Sequence, residues 1–61
     1  MTKKDYFVIA EALGAAFKRS GTLEEIDKII LLDCFDGALR RDNEKFDYKK
    51  FSDAVYSAAK Q

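Results

Sequence analysis

Two breaks, Ser20-Gly21-Thr22 and the largely polar stretch from Arg40 to Phe46, divide a proline-free chain into three segments, each with helical rather than strand spacing. Without proline nothing forces a kink or an irregular edge inside a segment. The first break reads as one helix ending and another starting. Lys18 and Arg19 complement the carbonyl end of a helix, and Gly21 is suited to a left-handed cap. Thr22 with Glu25 three residues on has the spacing of a capping box, in which each side chain satisfies the other's free N–H. After the second break, Asp47 is an N-cap, while Phe46 and Phe51 are spaced as a hydrophobic staple. Thr2 caps the first segment, and Asp5 sits favourably in its first turn. These signals predict an all-α chain, a compact three-helix bundle in a single domain over residues 1–61, with helices about 3–20, 23–40 and 48–60.

The apolar pattern orients each helix. In the first, Tyr6, Ile9, Ala10, Leu13 and Phe17 form a stripe at 3–4 spacing, with Phe7 and Val8 lying off it. Gly14 costs about 1 kcal/mol relative to alanine in mid-helix. With Ala10, Ala15 and Ala16 it makes a flat patch that another helix can approach. In the second helix Leu23, Ile26, Ile30, Cys34 and Ala38 cluster on one side, extended by Leu31 and Phe35, and are the expected core face. Ile29 and Leu32 then fall on the opposite arc among Glu25, Asp33 and Asp36. Glu24 with Lys28 and Asp36 with Arg40 are i,i+4 pairs in the favoured order. The run Ile29 to Leu32 also suits a buried strand, but the caps upstream favour helix. The third helix turns Tyr48, Phe51, Val55, Ala58 and Ala59 inward and Lys49, Lys50, Asp53, Ser57 and Lys60 toward water.

Several function classes lose support. Eleven basic and eleven acidic side chains cancel. The first twenty residues carry a net +2, residues 21–39 a net −4, and the rest a net +2. A nucleic-acid binder shows a basic excess, because neutralising phosphates dominates its affinity; this chain has none. With no histidine and one cysteine, there is no zinc ligand set, no intrachain disulfide and no base to activate Cys34, which is expected to be a buried, inert thiol. The acidic residues of the second helix lack the ligand pattern of a calcium loop and read as a solvated face. Catalytic residues, cofactors, metal sites and a small-molecule substrate are therefore not expected. The apolar run Tyr6–Ala10 is too short for a signal sequence or a membrane span, so the expected location is the cytosol.

The ends of the chain carry a resemblance. Thr2-Lys3-Lys4-Asp5-Tyr6 with Ile9-Ala10 and Leu13, and Asp42-Asn43-x-x-Phe46-Asp47-x-x-x-Phe51-x-x-Ala54, resemble a group of short phage and prophage proteins of unassigned function. The likeness covers the two ends and not the middle. Glu44 stands where that group usually has proline, and the group's cysteine near the C-terminus is missing. The resemblance implies a phage-type origin and the host-cell cytosol, with no implied activity.

What remains is a surplus of apolar surface. A chain this short buries only about 60% of the surface its unfolded form exposes, and large exposed apolar patches mark interaction sites. Phe7, Val8 and Ala15 on the first helix and Ile29 and Leu32 on the second are the expected interface. The expected partner is a second copy, forming a homodimer, or a host protein whose activity is modulated. The alternative is a DNA-associated regulator using the Lys49, Lys50 and Lys60 face.

Overall fold

The computed structural model describes residues 2–61 and contains three helices: α1 (Lys3–Arg19), α2 (Glu25–Asp42) and α3 (Tyr48–Ala59). The fold is an all-α three-helix bundle, with no strand among the described residues. Local chemistry sets the helix starts. Thr2 Oγ1 accepts the Asp5 N–H at 3.3 Å, and the Asp5 carboxylate accepts the Thr2 N–H at 2.9 Å. Asp47 accepts the Lys50 N–H at 3.1 Å. The Phe46 and Phe51 rings meet edge to face with centroids 5.4 Å apart, so the staple forms as expected.

The α1–α2 connection departs from expectation. The second helix begins two residues later than Leu23, with Glu24 as its N-cap in place of Thr22. The Asp27 carboxylate accepts the Glu24 N–H at 3.1 Å, while the Thr22 hydroxyl lies 3.4 Å from that of Ser20. Nor does Gly21 adopt a left-handed cap, since no glycine has positive φ. Ser20 ends α1 with an extended backbone (φ −90°, ψ 106°), its N–H donating to the Ala16 carbonyl at 3.0 Å. α2 also runs on to Asp42, two residues past the expected end, where the Asn43 N–H donates to the Leu39 carbonyl.

The closest backbone approach is between α1 and α3. It runs through Gly14, where an added Cβ would lie 2.4 Å from the Val55 carbonyl oxygen and 2.6 Å from the Ala58 Cβ. Ala10 and Gly14 are therefore the small residues that admit a neighbour, whereas Ala15 and Ala16 face outward. α2 completes the core with larger side chains. The buried set is Ala10, Phe17, Leu32, Leu39, Phe46, Phe51 and Val55. Phe35 stacks near Phe51 at 6.1 Å, and the Lys28 ammonium lies 5.8 Å from the centre of the Phe17 ring. Tyr6, on α1, donates from Oη to the Asp42 carboxylate at the end of α2 at 3.1 Å.

This packing rotates α2 away from its expected orientation: Leu23, Leu31 and Phe35 pack against the core as expected, but the centre of the inward face lies elsewhere. Leu32 is 1% exposed and belongs to the core, not to an interface. Ile26, Ile30, Cys34 and Ala38 are exposed instead of forming the core face. The physical reason is that α2 is apolar around most of its circumference, so helical spacing alone leaves its inward direction open. Leu32, Phe35 and Leu39 make one face with the Lys28 stem, and the isoleucines turn to the other side. Lys28 pairs with Glu25 at 3.7 Å rather than with Glu24, while Arg40 and Asp36 pair at 2.7 Å as expected.

Candidate interaction surfaces

At about 100° per residue, Ile26, Ile30, Gly37 and Arg41 point within about 60° of one another on α2. They lie opposite Phe35 and Leu39. Ile29, Asp33 and Cys34 flank them. Ile26 is 57% exposed, Ile29 52% and Ile30 54%. Isolated exposed hydrophobes are ordinary; three isoleucines within two turns of one helix face make a patch. Gly37 belongs to the same face, and a Cβ added there would meet nothing within 4 Å. No intrachain contact accounts for a glycine in mid-helix at that position.

Of the residues expected at an interface, Phe7, Val8, Ala15 and Ile29 are exposed and Leu32 is not. The exposed four do not form one surface. Phe7 lines an open groove of about 370 Å³ between the starts of α1 and α3, together with Tyr6, Ala10, Phe46, Phe51 and Ala54. Val8 and Ala15 lie on the back of α1, roughly 80–100° round the helix from Phe7. Ile29 lies on α2. The residues that sequence reasoning missed are Ile26, Ile30 and Gly37. The signal that could have found them is a glycine outside any turn on the same arc as two isoleucines.

The groove combines an aromatic floor with Lys3, Lys45 and Lys50 at its edge. None of these lysines is ion-paired among the described residues. Tyr6 sits at the groove's base, and its hydroxyl titrates above the ordinary tyrosine range, first because of desolvation and then because it donates to Asp42. Lys49, Lys50 and Lys60 are all exposed, but ten or eleven residues separate the first two from the third, so about 16 Å of helix length lies between them. Cys34 is a free, exposed thiol, contrary to the expected buried one. Among the described residues there is no group of three or more metal-ligating side chains, and no helix is long and apolar enough to cross a membrane.

Comparison with protein-family models, with curated proteins and with solved structures gave no match. The surfaces therefore rest on their own chemistry.

Proposed function

We propose that this chain is a non-catalytic binding protein that self-associates through the outward face of α2. The observation that carries the reading is the exposed trio Ile26, Ile29 and Ile30 on a helix whose opposite face already fills the core. Full burial of an aliphatic side chain is worth about 1.5–3 kcal/mol, so each half-exposed isoleucine offers a partner roughly 1 kcal/mol or more. A folded core beneath the patch means that a partner helix gains this without unfolding the chain. The terminal likeness to phage proteins adds a cytosolic setting in a host cell, in which a dimer would modulate a host protein through its remaining surfaces.

Light scattering from low micromolar to about 1 mM tests this reading. The wild-type mass is expected to rise with concentration from 7.0 kDa toward twice that value, while Ile30→Glu stays monomeric. A wild-type monomer throughout, or a dimer that Ile30→Glu leaves intact, overturns it.

A DNA-associated role is the second reading, favoured by the lysines at the groove edge and on α3, which have no ion pair among the described residues. Paired substitution Lys49→Glu and Lys50→Glu abolishes DNA binding under that reading and leaves the mass of the dimer unchanged under the first.

A further inference from the structure

We infer that two copies of the chain pair through α2 in antiparallel orientation, with Ile30 of each seated over Gly37 of the other. The inference rests on the proposed self-association and specifies its geometry. It has two independent supports.

The first is Gly37. A mid-helix glycine forgoes helix propensity, and α2 gives nothing in return within the chain, since the space around Gly37 is open and its φ is not positive. The glycine that does touch a neighbour, Gly14, shows the use this fold makes of the residue: it lets a second helix come close. On the exposed arc of α2 the corresponding visitor must come from outside the chain. A two-fold axis passing between Asp33 and Cys34 carries residue 30 of one copy onto the level of residue 37 of the other. A branched side chain then meets the one position on the arc that has none.

The second support is charge. The N-terminal half of α2 carries Glu25 and Asp27, and its end carries Arg40 and Arg41. A parallel pair sets like charges side by side along the whole helix. The antiparallel pair sets Asp27 of each copy beside Arg41 of the other, on the same flank of the seam; Arg40 lies on the opposite flank, already paired with Asp36. Arg41 has no ion pair among the described residues, and its aliphatic stem lies level with the other copy's Ile26. Helix dipoles are also opposed in this arrangement, which favours it modestly. The same axis brings the two Asp33 carboxylates together, an unfavourable contact that makes the geometry testable by charge.

Orientation is read by cross-linking, with Cys34→Ser in every chain so that only the introduced thiols react. Ile26→Cys and Arg41→Cys chains are mixed near 1 mM and treated with a short bis-thiosulfonate reagent. The antiparallel pair links the two variants to each other; a parallel pair links Ile26→Cys to itself and overturns the inference while leaving the α2 reading intact. Sedimentation equilibrium supplies the second measurement. Gly37→Leu is expected to weaken the dimer about tenfold or more by filling the seat of Ile30, and a dimer as tight as wild type overturns the inference. Since Gly37 faces open space, this variant is expected to fold. Asp27→Asn, which keeps an oxygen able to cap Glu24, weakens the dimer by roughly twofold, and Asp33→Asn strengthens it. Opposite signs from the two neutralised carboxylates support the antiparallel register; equal signs overturn it. A wild-type monomer at 1 mM refutes self-association itself, which separates that failure from an error of orientation.

Discussion

Replacing Gly14 by alanine adds a single methyl group at the α1–α3 contact, and the structure sets both terms of its effect. The new Cβ would stand 2.4 Å from the Val55 carbonyl oxygen, 2.6 Å from the Ala58 Cβ and 3.1 Å from the Ala59 nitrogen. Ordinary contact begins at 3.4 Å, so the helices must retreat by about 1 Å. Two of the opposing atoms are backbone and the third is an alanine methyl; none can swing aside. Retreat loosens Ala10 and Val55, both fully buried. Overpacking of this kind costs about 1–3 kcal/mol, and rigid opposing atoms place it toward about 3. Alanine recovers about 1 kcal/mol in helix propensity. The net loss is about 2 kcal/mol, roughly half of the 3–5 kcal/mol that a core of this size supplies. Thermal unfolding followed by circular dichroism should show a Tm lower by about 8–16 °C. In urea the midpoint falls by about 2 M if m is near 1 kcal/mol/M. Gly37→Ala is the internal control. Its methyl meets open space, so it gains propensity alone and raises Tm by about 4–8 °C at low micromolar concentration, where self-association does not contribute. A Gly14→Ala protein as stable as wild type, or two substitutions that shift Tm in the same direction, would refute the close-approach argument.

Leu32→Ala removes a side chain that is 1% exposed and should cost about 2–5 kcal/mol, enough to leave much of the chain unfolded at 25 °C. Ile29→Ser, three residues away on the open side, should change monomer stability by less than about 0.5 kcal/mol; chemical denaturation of the two side by side checks which face of α2 is inward. Asp47→Ala loses the carboxylate that accepts the Lys50 N–H and should cost about 1 kcal/mol, read from the same curves. Alkaline stability should fall because of two tyrosines. Tyr6 is shifted above the ordinary value by desolvation and then by its Asp42 bond, and Tyr56 by desolvation and then by Glu25 and Tyr48. The folded state prefers both phenols neutral, so their contribution is fully present below about pH 10 and is lost as pH climbs through the raised folded values. The double variant Tyr6→Phe, Tyr56→Phe should flatten Tm against pH above 10, and an unchanged slope would contradict the assignment.

Three helices, two of their caps and the inward faces of α1 and α3 were legible in the chain, because those signals are local and unambiguous. Thr2 with Asp5, Asp47 with Phe46 and Phe51, and the stripe from Tyr6 to Phe17 each point one way. α2 was not legible in this sense. Its apolar residues surround the helix, and spacing could not decide between an arc centred on the isoleucines and one centred on Leu32 and Leu39, with Phe35 at the edge of both. Tertiary packing decided it: Phe35 stacks near Phe51, and Leu32 and Leu39 join the buried core. Two plausible caps also competed within Thr22-Leu23-Glu24-Glu25, and Asp27 tipped the start toward Glu24. Because the face is rotated, Leu32 was misplaced at a surface and Ile26 and Ile30 in a core, and Cys34 was expected buried.

The tightest helix pair joins elements that are far apart along the chain, and this has a consequence for biosynthesis. On the ribosome α1 is made first, and its glycine seam has no neighbour until α3 follows. At about 5–20 residues per second, the 40 residues from Arg19 to Ala59 take about 2–8 s. For that interval α1 has no partner for its glycine seam and Phe17 has no core to enter. The cations at the start of α1, Lys3 and Lys4, give nascent copies like charge that opposes their association, so neutralising these two is expected to reduce the yield of folded protein in cells without lowering the melting temperature of what does fold.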